Sequence, residues 1–267
     1  LVPTPGGRAA AASVLAQFRG ERLQVVPLDR GQMTQLNGVA AQLVATGVFT
    51  GEPSGIVAPE PARDLTEAGR VAGFEVRAVS RQALPRGVAA TPERILASAP
   101  HLVQITFDRE RAIAYFRRNG QADVTIPARF DGTRLVAHVP GIVVQEYAGS
   151  DGAPRLLVGK AGTLGLDTEG GASLEELRDL VLRLPGLPQE TVAQLRGISD
   201  WRTTLPLPVP TDLARWQRAT VDGAQAFSFA DAGGKLHALL WQRGGQVWGV
   251  AGVLGAREVL DVADSLG

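Results

Sequence analysis

The sequence predicts an α+β fold in which antiparallel strands dominate and helices cover the sheets. Residues 235–252 alternate as two strands around Gly244-Gly245, the two-residue turn that a hairpin favours. Ser173-Leu-Glu-Glu176 is a capping box, which starts a helix. Glycines and prolines interrupt the strands too often for parallel crossover units, whose connections need about a dozen residues or more. These three observations favour helix-covered antiparallel sheets.

The composition is that of a folded globular protein and disfavours several function classes. The chain has 267 residues, is 45% hydrophobic, and carries 27 basic and 27 acidic residues. Nucleic-acid-binding proteins usually show a basic excess, so no nucleic-acid partner is expected. The sequence has no cysteine, which excludes disulfides, thiol nucleophiles and cysteine-based metal sites.

The N-terminal part predicts a linker followed by a helix–strand–helix extension. Residues 1–7 have linker composition, and residues 8–63 form the extension with a second linker at its end. Within it we expect a helix over 8–19, a strand over 23–28 and a helix over 32–45. Residues 46–63 contain three prolines and three glycines and predict no regular structure.

Residues 64–186 are predicted to form a first α+β unit. Each element has a local pattern of capping, alternation or helical spacing. The predicted elements are a helix over 64–71 with Asp64 as its N-cap, a strand over 74–79, a helical turn at 91–93, a strand over 101–107, a helix over 109–118, strands over 134–139, 142–147 and 155–160, and a helix over 173–184.

Residues 187–267 are predicted to form a second, related unit. We expect a helix over 188–198, an extended proline-rich segment over 205–210, an Asp222-Gly223 turn, paired strands and a final helix over 256–266. The order helix, aromatic residue, Leu-Pro, Asp-Gly turn, paired strands and helix also occurs in residues 64–186. The similarity lies in the order of elements more than in residue identity, so chance is the alternative to a weak internal repeat.

The C-terminal residues resemble a known group of proteins. The run Leu-Leu-Trp-Gln-Arg-Gly-Gly-Gln-Val-Trp (239–248), followed by a helix ending in Ala-Asp-Ser-Leu (263–266), is similar to the end of the extracytoplasmic domains of bacterial single-pass membrane anti-sigma factors. Residues 200–206, Asp-Trp-Arg-Thr-Thr-Leu-Pro, resemble the middle of the same domains, and the helix at 64–71 with Phe74 resembles their beginning. The resemblance covers about residues 64–266.

This resemblance implies an extracytoplasmic sensory or interaction domain of a membrane-anchored regulator. It also implies an upstream apolar span of about 20 residues, which is the length that crosses a bilayer core. Before that span we expect a small cytoplasmic module with a His and two cysteines at zinc spacing. The sigma-binding module lies outside this sequence, so no residue here is assigned to sigma-factor binding.

Motifs for catalysis or cofactor binding are absent from the sequence. His101, His138 and His237 are isolated and lie in strand patterns, so solvent-facing or half-buried positions are expected rather than a metal or acid–base role. The glycine-rich stretch 159–171 lacks the order of a phosphate loop and predicts a loop. Asp167-Thr-Glu-Gly-Gly171 lacks alternating calcium ligands, and Glu175-Glu176 suit the first turn of a helix. We therefore expect no catalytic, cofactor or metal-binding residue and no cofactor.

The tryptophans leave two interpretations open. Trp201, Trp216, Trp241 and Trp248 lie in the last quarter, where clustered aromatics either fill a core or line a partner surface. The core is the favoured interpretation, with Trp241 and Trp248 as cross-strand neighbours.

A non-enzymatic interaction domain is the predicted function, with a protein partner or a small hydrophobic ligand at the cell envelope. The alternative is a periplasmic or secreted carrier or lipoprotein that binds a hydrophobic ligand between a curved sheet and its helices. A secreted hydrolase is the third hypothesis, and it requires carboxylates or a Ser/His pair that only the fold brings together.

Overall fold

The computed structural model describes residues 22–51, 57–198, 204–211 and 214–266, and it confirms the α+β fold. The predicted linker 1–7, the predicted helix 8–19 and Trp201 lie outside these residues. The strands of the described part are Arg22–Leu28 (β1), Phe49–Gly51 (β2), Glu60–Ala62 (β3), Arg94–Ser98 (β4), His101–Phe107 (β5), Arg134–Val139 (β6), Ile142–Ala148 (β7), Pro154–Ala161 (β8), Gly165–Glu169 (β9), Thr204–Pro210 (β10), Ala214–Val221 (β11), Ala224–Asp231 (β12), His237–Arg243 (β13) and Gln246–Gly252 (β14).

The helices fall close to their predicted positions. In the described residues they are Arg30–Ala45 (α1), Leu65–Ala72 (α2), Arg109–Arg118 (α3), Leu174–Val181 (α4), Gln189–Arg196 (α5) and Ala256–Asp264 (α6). The predicted Asp64 cap and the Ser173–Glu176 capping box are both formed. Helix α1 begins two residues before the predicted start because Asp29 caps it in a reciprocal arrangement with Gln32.

Most strands belong to one eight-stranded sheet with the order β11-β12-β13-β14-β8-β7-β4-β3. All its neighbouring strands are antiparallel. Strand β14 pairs with β8, which joins strands from both sides of residue 187 into one sheet. The predicted division into units at 186/187 therefore does not follow a sheet boundary.

Three strands turn a corner into a second, four-stranded sheet with the order β2-β5-β6-β9. Strands β4, β7 and β8 are neighbours in the large sheet, and β5, β6 and β9, which directly adjoin them in sequence, are neighbours in the small one. Proline and glycine occupy the connections at Pro100, Pro140-Gly141 and Gly162. Because proline donates no backbone hydrogen bond and glycine adds no side chain, these positions interrupt the ladder where the chain bends.

Helices α2 and α6 cover one side of the large sheet, which we call the helix face. Its core contains Tyr147, Val158 and Trp241 from the strands and Val259 and Val262 from α6. Helix α2 packs through Ala68 and Ala72 on β4 and β7. Val259, Val262 and Ala263 of α6 are buried on this face. Burial of apolar area stabilises the fold by about 25 cal/mol per Å² removed from water.

The opposite face of the large sheet packs against β1 and β10. Phe227, Leu240 and Val247 of the sheet form a cluster with Leu23, Leu207 and Val209. Strands β1 and β10 are the one parallel pair among the described strands. The prolines at 206, 208 and 210 recur at every second residue, so the positions without a backbone N–H lie on one side of β10. The segment can therefore still pair with β1.

Several sequence predictions differ from the structure. The predicted linker 46–63 contains the short strands β2 and β3, whose three residues are too few to show a periodicity. The predicted helical turn at 91–93 is not formed, because the Glu93 N–H donates instead to the carbonyl of Glu146 on β7. The predicted loop over 159–171 includes strand β9. No helix in the described ranges is long and apolar enough to cross a membrane.

Candidate partner-binding surface

Strand β11 forms an exposed edge of the large sheet. Among the described strands it pairs only with β12, and it is eight residues long. Four consecutive side chains, from Arg215 to Arg218, are exposed. A long edge of this kind presents a row of free backbone donors and acceptors, which is the usual template for pairing with another chain.

The turn between β11 and β12 determines which backbone groups face outward. Asp222 and Gly223 both have positive φ, 43° and 77°, as a type I′ turn requires. Val221 and Ala224 flank the turn as a register pair, and such flanking residues exchange both hydrogen bonds. Bonded pairs then recur at every second residue, so the N–H and C=O groups of Trp216, Arg218 and Thr220 point away from β12.

Two contacts fix this hairpin end. The Arg243 guanidinium pairs with the Asp222 carboxylate, and the Asp222 N–H donates to the Asp264 carboxylate at the end of α6. The hairpin is therefore tied both to β13 and to the helix on the helix face. Because the hairpin is already held in place, less conformational entropy is lost when a partner binds to it.

Trp216 is the aromatic residue of this edge. Its relative exposure is 36%, and its ring packs edge-on against Phe227 with 6.0 Å between the centroids. Trp241, by contrast, is 1% exposed, and it stacks on Trp248 at 6.2 Å as its register partner across β13 and β14. The predicted core role is thus confirmed for Trp241, and Trp216 is a surface residue.

The edge also carries positive charge. Arg215 and Arg218 are exposed, and neither makes an ion pair with another residue of the described part. Alternation along the strand puts Trp216 and Arg218 on the face that packs on β1 and β10, and Arg215 on the helix face. A strand that pairs with this edge therefore has one arginine beside it on each face of the sheet.

A second notable feature is an extended segment, residues 74–79, that crosses the helix face without joining a ladder. Three side chains of the sheet bond its backbone at alternate residues: Lys160 Nζ donates to the Glu75 carbonyl at 2.6 Å, Gln145 Nε2 donates to the Arg77 carbonyl at 3.0 Å, and the Val79 N–H donates to Tyr147 Oη at 3.1 Å. The predicted strand over 74–79 is therefore wrong as a ladder strand, although its extended conformation is present. We call this segment the strap.

Lys160 is the most unusual ionisable residue of the strap contact. Its side chain is buried, and the ammonium lies 5.0 Å from the Phe74 ring centroid and 4.6 Å from that of Trp248. Burial lowers the pKa of Lys160, while the nearby Glu75 carboxylate opposes this shift and Arg77 adds to it. The two rings and the Glu75 carbonyl compensate part of the lost hydration.

Replacement of Lys160 by Met should change how stability depends on pH. Because the folded-state pKa lies below the ordinary value of 10.5, the unfolded chain binds more protons in the interval between the two. The stability of the wild type relative to Lys160→Met should therefore rise as pH increases toward 10.5. Urea denaturation of both proteins at a series of pH values measures this difference, and a relative stability that falls with pH would show that the pKa is raised instead.

Replacement of Tyr147 by Phe should destabilise the strap contact. Tyr147 Oη accepts from the Val79 N–H and donates to Gln145 Oε1 at 2.8 Å, and the ring is fully buried. Loss of the hydroxyl leaves two buried polar groups without this partner, at a cost of about 2 kcal/mol. The matched control is Tyr115→Phe, whose hydroxyl lies at the longer distance of 3.2 Å from Gln42 Oε1. Equal losses in urea denaturation would contradict a special role for Tyr147.

The histidines lie in separate strands, as predicted. His101 on β5 is half-buried, His138 on β6 is exposed and lies 3.4 Å from Asp167, and His237 on β13 lies 2.8 Å from the Leu254 carbonyl. Within the described ranges the fold brings no three His, Asp or Glu side chains into a metal-binding group. Asp167 lies in β9, and Glu176 completes the capping box of α4 with Ser173.

Two surface clefts are lined by both polar and apolar side chains. One, of about 480 Å³, lies between residues 80–85 and the acidic side of α6, with Glu258, Asp261 and Asp264. The other, of about 670 Å³, lies beside α4 and includes Arg178, Arg183 and Arg196. At its rim Arg129 hydrogen-bonds Glu176 and lowers the pKa of that carboxyl to about 2. Both clefts are open to solvent.

Sequence reasoning missed the edge strand as a surface. Its signals were present, because Asp222-Gly223 marks the hairpin turn and Trp216 lies at an alternating position. What the sequence lacks is the information that β11 ends the sheet.

Comparison with known protein families, with curated proteins and with solved structures finds no match.

Proposed function

We propose that this chain is a non-enzymatic interaction domain of a membrane-anchored regulator, located outside the cytoplasmic membrane and similar to the outer domain of anti-sigma factors. The observation that carries the proposal is the β11 edge, where exposed Trp216 lies between two arginines. Aromatic and arginine side chains are the types most enriched where proteins bind partners. The resemblance of residues 239–266 supports the cellular setting.

The packing of the helix face favours an interaction domain over a carrier of hydrophobic ligands. Trp241, Tyr147 and Leu156 are almost completely buried there and fill the space between the sheet and α6. Ligand pockets of carriers are concave and lined mostly by apolar side chains. The two clefts described above are open to solvent, and each includes at least three charged side chains.

The proposed location is tested with the full-length gene. Alkaline phosphatase requires disulfides, which form outside the cytoplasm, so its fusion to the C-terminus of the full-length protein reports the side of the membrane. We expect an active fusion and an upstream apolar span of about 20 residues. A matched fusion to the N-terminus should be inactive.

Two results would contradict this proposal. An inactive C-terminal fusion with an active cytoplasmic reporter at the same position would place the domain inside the cell. A lipobox cysteine directly upstream, in place of an apolar span, would favour the carrier or lipoprotein interpretation.

A further inference from the structure

We propose that the outer edge of β11 binds an extended, acidic segment of a protein partner as an additional strand of the sheet. This inference rests on the proposed function, since it assigns the partner class of the same surface. The occupant is an extended peptide segment because the edge offers backbone groups in a straight row and not a concave pocket.

The backbone supplies the affinity in this arrangement. The N–H and C=O groups of Trp216, Arg218 and Thr220 point away from β12, as the Asp222-Gly223 turn and the register of β11 with β12 require. A partner strand satisfies these groups through main-chain hydrogen bonds, which do not depend on its sequence. The hairpin presents these backbone groups at the spacing that a ninth strand of the sheet needs for pairing.

The charges define the partner's sequence. Arg215 and Arg218 are three positions apart and therefore lie on opposite faces of the strand. The residues directly across from them are also three positions apart, so a matching segment has the pattern acidic-x-x-acidic. Opposite charges across neighbouring strands stabilise the pair, and like charges destabilise it.

Trp216 defines one of the two positions between the acidic residues. It lies on the same face as Phe227, which supports its ring at 6.0 Å. A β-branched or aromatic residue opposite Trp216 extends this apolar patch, since such cross-strand pairs are favourable. In an antiparallel partner the matching sequence is therefore acidic, polar, β-branched or aromatic, acidic.

A second copy of this chain is a less suitable occupant. Antiparallel pairing of two β11 edges brings arginines of the two copies opposite or diagonal to one another, which is unfavourable. Charged residues on edge strands are a common protection against such self-pairing.

The test is titration of the full chain with a synthetic peptide. The probe is an acetylated and amidated octapeptide. Its central sequence is Glu-Thr-Val-Glu, and Thr and Val residues flank this sequence. Isothermal titration calorimetry measures the affinity of the peptide for the full chain. We expect one peptide per chain. Replacement of both Glu by Gln should weaken binding about fivefold, because exposed ion pairs contribute modestly. A peptide with Pro in place of the central Val, which lies opposite Trp216, should bind about tenfold more weakly, because Pro removes a main-chain donor that faces β11 and restricts the strand.

Two variants of Thr220 separate strand addition from other modes of binding. Thr220→Pro removes an outward N–H while the bonded pairs with β12 remain, and Thr220→Ala removes only the side chain. We expect Thr220→Pro to bind about tenfold more weakly than Thr220→Ala. The double variant Arg215→Gln with Arg218→Gln, which keeps the backbone intact, should abolish the preference for the Glu peptide.

Each other outcome overturns the inference. Equal affinity for the Glu and Gln peptides would contradict an acidic partner. Equal peptide affinity of the two Thr220 variants would contradict binding by strand addition. Dimers in sedimentation that dissociate on Trp216→Ala assign the edge to a second copy. Absence of peptide binding to the wild type also overturns it, whereas the membrane-topology fusion tests the proposed function independently.

Discussion

Replacement of Gly141 by Ala should strongly destabilise the fold. Gly141 lies at the corner between β6 and β7, and a Cβ built there comes within 2.1 Å of the Ala72 carbonyl oxygen and 2.6 Å of the Ala72 Cα. The colliding atoms are backbone at the end of α2, so no side-chain rotation relieves the overlap. The helix must shift away from the corner, which we expect to cost about 3 kcal/mol in the free energy of unfolding.

Urea denaturation followed by circular dichroism measures this loss. The matched control is Gly38→Ala in the middle of α1, where a Cβ meets nothing within 4 Å. That substitution should stabilise the protein by about 0.5–1 kcal/mol, because alanine has the higher helix propensity. A neutral Gly141→Ala would contradict the close packing of α2 on the corner.

Replacement of Trp241 by Ala should be similarly damaging. The side chain is 1% exposed, stacks on Trp248, and lies in the core with Val250 and Val259. Its truncation removes a large apolar surface and leaves a cavity between the sheet and α6, at a cost of about 4 kcal/mol. Thermal or urea denaturation should show the loss, and Trp248 should become more accessible to a fluorescence quencher.

The matched control is Trp216→Ala, which removes the same side chain from the surface. We expect it to cost less than about 1 kcal/mol, since surface substitutions have small effects on stability. It should nevertheless weaken partner binding, because the exposed ring is part of the proposed surface. Comparable destabilisation by both substitutions would contradict the division between the buried Trp241 and the surface Trp216.

Local sequence signals predicted the elements that depend on neighbouring residues. The Gly244-Gly245 turn, at φ 57° and 71°, joins the predicted hairpin, and Trp241 faces Trp248 as expected. The Asp64 and Ser173 caps start their helices. In these cases the residues that decide the conformation lie within a few positions of one another, so a single sequence contains the information.

The strap shows where local patterns are insufficient. Alternation of Phe74 and Val76 with Glu75 and Arg77 predicts a strand, and the backbone is indeed extended. Its hydrogen-bond partners, however, are side chains about 70–85 positions away on β7 and β8. Periodicity reports which side of a segment is apolar, and it does not report whether a ladder or a set of side chains bonds its backbone.

The arrangement of the sheets likewise cannot be predicted from local sequence patterns. Pairing of β14 with β8 joins residues about 90 positions apart, and the corner strands connect two sheets through Pro140-Gly141. Because the position of β11 at an edge follows from this long-range order, the candidate surface was not predictable. No local pattern distinguishes Trp216 from the other tryptophans, and only the fold separates it from the core.

Photo-crosslinking in cells tests whether the β11 edge is the partner-binding surface. Benzoylphenylalanine is placed at Trp216 in the full-length protein, and at Leu102 as the control, an exposed apolar residue of the small sheet. We expect a discrete adduct from position 216 but not from 102, and the crosslinked partner peptide should contain two acidic residues three positions apart. Equal crosslinking at both positions, or no adduct at 216, would contradict it.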